Sequence, residues 1–294
     1  MTHKFWLMLA LIASVTLSSG CTSTDSSANI TSAAATAATS AEMTATKAGQ
    51  DIGIGGLTIA DLPTVLFDGA AADWENDKIW LLAELPEQNI RLYGLNFTVS
   101  GENNDTGTVL VRWNDRLFKY AWSFLTPRAI LPILGCADYD GDNELEIAVN
   151  LYVGSGTGLS IEQLHILDYD GTETLRDYRL DEQKYLAAFN ENLKWNLNNS
   201  TKVVTVNIGE SVATYNLDNI LIESGQMFEK IGVSGNIVSY MMEGDELSIS
   251  LAFAPLGGDY DIYNPYIGDA SADIQYQNGD FEFSHMTVKM LENY

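Results

Sequence analysis

Short runs of branched and aromatic residues, separated by turn residues, fill the chain from about residue 51 onward. Asn114-Asp115, Gly244-Asp245 and Asn278-Gly279 stand between paired runs, and dipeptides of this type form tight hairpin turns. The pattern therefore predicts an all-β domain of antiparallel hairpins. The runs occupy residues 89–99, 108–113, 117–124, 147–153, 163–169, 203–208, 212–215, 237–242, 247–253, 272–277 and 281–290.

One stretch has helical spacing instead. It begins with the acidic pair Asp181 and Glu182, and its apolar residues follow at positions 185, 186, 189 and 193. Acidic residues favour the first turn of a helix, and this apolar spacing places one face against a core. The pattern predicts a helix over residues 181–195, so the domain should contain one or two short helices.

The N-terminal segment has the features of an export signal. Lys4 precedes an apolar run over residues 5–17, which is too short to span a bilayer but matches the core of a secretory signal. The run leads to Leu17-Ser18-Ser19-Gly20-Cys21, which resembles a bacterial lipoprotein lipobox, although Ser18 stands where Leu is usual. The resemblance implies that Cys21 is acylated and anchors the mature chain to a cell membrane on its extracytoplasmic side. The alternative is an ordinary signal peptide that is cleaved nearby.

The stretch after Cys21 differs in composition from the rest of the chain. Residues 22–50 are mostly Ser, Thr and Ala with almost no large apolar side chains, so they cannot offset the entropy cost of ordering. We expect a signal peptide over residues 1–20, a lipidated cysteine and disordered tether over residues 21–50, and one all-β domain over residues 51–294.

Composition and residue counts exclude several functions. The chain has 40 acidic and 15 basic residues and a formal charge of −25, which disfavours binding to nucleic acid. It is 46% hydrophobic, too apolar for an acidic disordered protein. Beyond Cys21 there is only one cysteine, Cys136, which we interpret as a small buried hydrophobic residue. His165 and His285 lie in strand-like runs outside any zinc motif, and we interpret both as partly buried structural residues.

The sharpest motif is a nine-residue acidic segment followed by the apolar strand Ile147-Ala148-Val149. Calcium takes six to eight oxygen ligands, and a tight loop can direct alternate side chains at one centre. Gly141 and Asn143 tolerate the positive φ that such a loop needs. The segment therefore predicts a calcium site, and the alternative is a solvated acidic hairpin loop. Acidic residues occupy its positions 1, 3, 5, 7 and 9, which are Asp138, Asp140, Asp142, Glu144 and Glu146.

The segment resembles the calcium loop of FG-GAP/VCBS-type repeats, which form integrin-like β-propellers, and also bacterial lipoproteins with one such loop. Two residues depart from the family pattern, namely Asn143 in place of a glycine and Glu146 in place of the last aspartate. With one copy of the motif, we expect a degenerate β-propeller-like assembly. A β-sandwich or irregular antiparallel sheets are the alternative. The resemblance implies ligands from the side chains of Asp138, Asp140, Asp142 and Glu146 and from the backbone carbonyl of Glu144.

Two functions are consistent with these features. The first is a membrane-anchored, calcium-binding lipoprotein that serves as a binding module for an envelope or extracellular protein or glycan, with a structural ion and no catalytic residues. The second is a carbohydrate-active enzyme or sugar-binding module that uses aromatic and acidic cleft residues. Tryptophans within strands are more often packing residues. The candidates for the second function are Trp74, Trp80, Trp113, Trp122, Trp195, Asp259 and Asp261.

Overall fold

The structure is a computed structural model that describes residues 41–47, 49–50, 52–54, 56–95, 108–122, 124, 130–169, 174–217, 228–257 and 265–291. All of them belong to one compact unit, Ala38–Tyr294. The predicted signal peptide and Cys21 lie outside the described residues, as do Asp259 and Asp261.

The described residues are mainly β-strands, and the predicted all-β class is confirmed. Within the described residues, one helix, α1, covers Glu182–Asn192 and one 3₁₀ turn covers Ile59–Asp61. The strands are β1 (Ala41–Thr44), β2 (Thr46–Lys47), β3 (Ile79–Leu85), β4 (Ile90–Leu95), β5 (Val109–Trp113), β6 (Arg116–Tyr120), β7 (Ile133–Ala137), β8 (Glu146–Gly156), β9 (Leu159–Tyr169), β10 (Thr174–Arg179), β11 (Lys194–Asn198), β12 (Val203–Ile208), β13 (Ser211–Asn216), β14 (Lys230–Glu243), β15 (Glu246–Leu256), β16 (Gly268–Gln277) and β17 (Asp280–Met290).

The predicted hairpin turns form as their residue types require. Asn114 has φ 57° between β5 and β6, Gly244 has φ 64° between β14 and β15, and Asn278 and Gly279 have φ 51° and 84° between β16 and β17. These values lie in the left-handed region, which asparagine and glycine adopt at low cost. The hairpin interpretation of the sequence is confirmed at all three turns.

A nine-stranded sheet, the large sheet, is the main structure of the domain. Its main path runs β1-β10-β9-β14-β15-β16-β17, and β8 and then β7 extend from the opposite edge of β9. Its hairpins pair in antiparallel fashion, but β9 and β14 pair in parallel, through Ile237 with Ser160 and Val238 with Ile161. This short parallel join connects the hairpins that precede α1 to those that follow it.

Two smaller sheets accompany the large sheet in the described part of the chain. A five-stranded sheet has the order β2-β6-β5-β4-β3, and a three-stranded sheet has the order β11-β12-β13. The described strands are therefore grouped in sheets of nine, five and three, which differs from a ring of four-stranded propeller blades.

The folded domain begins earlier than residue 51. β1 pairs with β10 of the large sheet, and β2 pairs with β6 of the five-stranded sheet. The end of the predicted tether is thus part of both sheets, which corrects the expected boundary. Composition did not indicate these two strands, because a strand at a sheet edge pairs through its backbone hydrogen bonds and needs no alternating apolar pattern.

The sheets separate three apolar cores. One core lies between the large sheet, α1 and the three-stranded sheet, and includes Phe189 and Phe253. The second lies between β8 and the five-stranded sheet and includes Val149 and Phe118. The third packs residues 52–62 on the other face of the five-stranded sheet, around Tyr93. The first six residues of β8, from Glu146 onward, are therefore buried, and this burial holds in place the end of the acidic segment.

Helix α1 begins and ends for local reasons. The side chain of Asp181 caps its N-terminus by accepting a hydrogen bond from the Gln183 backbone N–H at 2.7 Å. The helix ends at Asn192, before Leu193. The sequence predicted a helix as far as residue 195, but Trp195 lies in β11 and pairs with Val206 of β12. Among the described residues, no helix is both long and apolar enough to cross a bilayer.

Candidate metal centre

The acidic segment connects two paired strands. Ala137, at the end of β7, pairs with Glu146, at the start of β8, so residues 138–145 form a closed loop between them. The loop therefore begins and ends at fixed positions in the large sheet. This anchoring determines where its carboxylates can point.

Asp138 organises the loop through hydrogen bonds to its backbone. Its Oδ1 accepts from the N–H groups of Gly141 at 2.7 Å and Asp142 at 3.0 Å, and its Oδ2 accepts from Asn143 N–H at 2.9 Å. Gly141 and Asn143 have φ values of 79° and 71°. Asparagine thus takes the left-handed conformation at the position where the family pattern has glycine.

Asp140 and Asp142 each accept a hydrogen bond from the backbone N–H two residues further along the chain. Asp140 Oδ1 accepts from Asp142 N–H at 3.2 Å, and Asp142 Oδ1 accepts from Glu144 N–H at 2.7 Å. Asp140 is half-buried, whereas Asp142 and Glu144 are exposed. The loop backbone is therefore held by its own carboxylates.

Glu146 is the buried carboxylate of the site, with only 1% of the residue exposed. Its Oε2 accepts a hydrogen bond from the Tyr139 backbone N–H at 2.7 Å. Burial raises the pKa of Glu146 to about 7; the Tyr139 hydrogen bond opposes this rise, and the charges of Asp140, Asp168 and Asp142 add to it. A positive charge in the site would offset these costs.

Three of the predicted ligands converge. One carboxylate oxygen each from Asp138, Asp140 and Glu146 lie within 4.8 Å of one another, so this triad could hold a metal ion. Asp142 is outside this group, and its carboxylate accepts a hydrogen bond from the backbone N–H of Glu144. Glu144 was predicted to contribute its backbone carbonyl, and the convergence of side-chain oxygens does not test that prediction.

The sequence interpretation missed Asp168, which lies beside the triad. Ile147 pairs with Leu167, so Glu146 and Asp168 are the next residues along β8 and β9. Burial and the charges of Asp140 and Asp142 raise the pKa of Asp168, and the Tyr276 hydroxyl donates to its Oδ2 at 3.5 Å. A bulge between Tyr152 and Gly154 shifts the β8–β9 register by one residue, so counting outward from the turn would have placed Tyr169 beside Glu146 instead.

A cleft opens next to the loop. Its volume is about 860 Å³, and it is bounded by the loop, the turn between β14 and β15, and the β16–β17 hairpin. Asp138 and Asp140 belong to both the triad and the cleft wall. The triad is therefore at one edge of an open surface depression.

The tryptophans named as sugar-stacking candidates are mostly packed. Trp74 and Trp80 contact each other and Phe67, with ring centroids 5.2–5.4 Å apart. Trp122 is buried, and its Nε1 donates to Asp177 Oδ2 at 2.6 Å. Trp113 packs edge-on against Tyr169, and Trp195 is 36% exposed beside Phe228. None of these five tryptophans lines the cleft.

The two histidines and Cys136 were interpreted from the sequence as structural residues, and each can be compared with its surroundings. His165 is 1% exposed, and its Nδ1 is 2.8 Å from Asp177 Oδ1, which confirms it as a buried structural residue. The same interpretation is wrong for His285, which is exposed at a bulge in β17 with φ 48° and pairs with Asp273. Cys136 is half-buried against the second core, and burial raises the pKa of its thiol.

Comparison with known proteins adds no relative: no protein-family model, no curated protein and no solved structure matches this chain.

Proposed function

We propose that the protein is a lipid-anchored lipoprotein on the extracytoplasmic side of a cell membrane, whose β domain holds a calcium ion and acts as a binding module. The export signal and Cys21 support the anchor. The observation that supports the ion most strongly is the convergence of Asp138, Asp140 and Glu146 within 4.8 Å. The partner would be an envelope or extracellular protein or glycan.

Calcium suits the chemistry of this donor set. The triad offers hard carboxylate oxygens, and the Glu144 carbonyl, Asp142 and water would complete the six to eight ligands that calcium takes. The ion would join the end of β7 to the start of β8, because Asp138 and Glu146 flank the loop. An ion that binds only the folded state stabilises that state, by about 2.7 kcal/mol at a hundred times its Kd.

We favour a binding module over a carbohydrate-active enzyme. A sugar-cleaving cleft needs a pair of carboxylates with an aromatic platform for the sugar ring. The candidate tryptophans pack elsewhere, and the carboxylates that line the cleft from the β14–β15 and β16–β17 hairpins are exposed. This arrangement supports recognition of a ligand more than its chemical conversion.

Thermal unfolding tests the ion. We expect the full chain to melt several degrees higher in millimolar calcium than in a chelator, because the ion stabilises the folded state. Asp140→Asn should lose most of this difference. Asp115→Asn is the matched control, because it changes an exposed turn residue outside the loop. Equal melting temperatures with and without calcium in the unmutated chain would contradict the proposal.

A further inference from the structure

Five aliphatic side chains beside β3 are exposed to solvent. Leu66 pairs in parallel with Leu81 of β3, and the Phe67 N–H donates to the Leu81 carbonyl at 2.8 Å, so this segment lies along the outer edge of the five-stranded sheet. Strand β7 lies next to β3 on another side, and residues 130–132 lead into β7. The exposed residues of these two segments, which we call the apolar patch, are Val65, Leu66, Ile130, Leu131 and Ile133.

The grouping of these side chains distinguishes them from other exposed apolar residues. Ten large apolar residues are exposed in the described part of the chain, and half of them belong to the apolar patch. Val65, at 79%, is the most exposed of the ten. Single exposed apolar residues are ordinary, whereas a group of them marks an interaction surface.

The apolar patch also lacks charge, although the chain as a whole is strongly acidic. Residues 62–67 and 129–137 contain no charged side chain, and Asp68 and Asp138 follow directly after these two stretches. A partner that binds through ion pairs would find no counter-charge within the patch itself. The patch therefore suits a partner that is apolar and uncharged.

The residue types favour hydrocarbon over a protein partner. Protein interfaces concentrate their binding energy in Trp, Tyr and Arg, and Leu and Val are under-represented among these residues. The apolar patch consists only of Val, Leu and Ile, which transfer favourably into a bilayer. The nearest tryptophan on β3, Trp80, is buried and cannot serve as an interface anchor.

The chain between the proposed anchor and the domain is long enough for the patch to reach the same bilayer. Cys21 precedes Ala41, the first residue of β1, by 20 positions, and 20 residues span at most about 70 Å. The chain then enters the five-stranded sheet at β2, and β3 lies four strand spacings away, about 19 Å. The distance across the sheet is well within that span.

We propose that the apolar patch inserts into the hydrocarbon surface of the bilayer that holds the lipid anchor, so that the domain lies against the membrane. The inference rests on the lipid-anchored function proposed above and names the surface that the domain contacts. Tethering makes this second contact intramolecular, so the shallow insertion of five side chains suffices. Asp68 and Asp138 limit the depth, because a charged side chain is costly within hydrocarbon.

Fluorescence quenching in vesicles tests this contact. The acylated chain is reconstituted in phosphatidylcholine vesicles whose acyl chains carry a nitroxide quencher. An environment-sensitive fluorophore is attached at Val65→Cys or, as the matched control, at Val212→Cys, each combined with Cys136→Ala. Val212 is another exposed valine, at 62%, on β13 of the three-stranded sheet. We expect quenching at position 65 to be several times that at position 212.

Serine substitutions show whether the patch, rather than the fluorophore, inserts. Leu66→Ser with Ile133→Ser should reduce the quenching at position 65 to the level of position 212. Met241→Ser with Leu291→Ser is the control, because it changes two exposed apolar residues outside the patch, and it should leave the quenching unchanged. The inference is overturned if both pairs of substitutions have the same effect.

Flotation of the same vesicles separates this inference from the proposed function. A chain that floats with the vesicles but shows equal quenching at positions 65 and 212 overturns the inference and leaves the anchor intact. A chain that does not float contradicts the anchor, and with it the contact that depends on tethering. A dimer in detergent that dissociates with Leu66→Ser and Ile133→Ser would assign the patch to a second copy of the chain and overturn the inference.

Discussion

Glu146 is the residue at which the electrostatic cost of the acidic loop is concentrated. It is almost fully buried, it accepts one backbone hydrogen bond, and it lies near Asp140 and Asp168. A bound cation turns this repulsion into attraction, whereas without a cation the carboxyl group keeps its proton to a higher pH. The same residue should therefore affect stability in opposite directions with and without the ion.

In a chelator, the stability of the protein should fall as the pH rises from about 4.5 to about 7. The pKa of Glu146 is raised on folding from 4.5 to about 7, so the folded state binds the proton more tightly than the unfolded state across this window. The contribution of Glu146 to the free energy of unfolding is therefore fully present below pH 4.5 and is lost, by about 1–3 kcal/mol, as the pH rises to about 7. Urea unfolding at several pH values measures this slope.

Glu146→Gln should remove that slope. In a chelator at pH 8 the variant should be more stable than the unmutated protein, and in calcium it should be less stable, because it lacks a ligand. Glu144→Gln is the control, because its exposed side chain is not a predicted ligand and only its carbonyl is. The account of Glu146 is wrong if Glu146→Gln and Glu144→Gln behave alike in both conditions.

At the scale of elements, one side chain reinforces the parallel join between β9 and β14. Glu162 Oε2 accepts from Asn150 Nδ2 at 2.7 Å and from the Tyr240 backbone N–H at 2.9 Å, and so links β8, β9 and β14. The parallel pairing itself covers only two residue pairs. Glu162 therefore supplements a join with few backbone hydrogen bonds of its own.

Glu162→Leu should lower the free energy of unfolding by about 1–3 kcal/mol, because it leaves the Asn150 amide and the Tyr240 N–H without an acceptor. Glu162→Gln keeps an acceptor oxygen and should cost less. Denaturant unfolding measures both, with Glu210→Gln in the exposed β12–β13 turn as the control. A loss for Glu162→Leu no larger than for the control would mean that this side chain does not support the join.

The sequence predicted the elements whose causes are local. Asn114, Gly244 and Asn278 mark hairpins because their turn conformations favour these residue types, and the loop positions of Asp138, Asp140 and Glu146 follow from spacing alone. Contacts between residues far apart in the chain left no comparable pattern in the sequence. The β9–β14 join connects residues far apart in the chain, and β1 and β2 pair through their backbones. Asp168 was missed because its role depends on register across β8 and β9.

At the scale of the whole molecule, the acidic residues fall into two groups that differ in where they lie. The formal charge is −25, and some of its acids are gathered in the loop and the cleft while others are exposed in turns such as those of Asp115 and Glu210. The three cores of the described residues are built from apolar side chains, and Trp122 of the second core also donates a hydrogen bond to the buried carboxylate of Asp177. The acids of the loop are not members of these cores, and the proposed binding of a cation would explain why they are gathered there.

A calorimetric titration of the full chain with calcium tests the central claim most directly. The account predicts saturable binding of one calcium ion per chain, unchanged in Asp115→Asn and abolished when Asp140→Asn is combined with Glu146→Gln. Circular dichroism of the double variant in a chelator checks that it remains folded. Absence of saturable binding in the unmutated chain, or binding of equal strength in the folded double variant, would contradict the account.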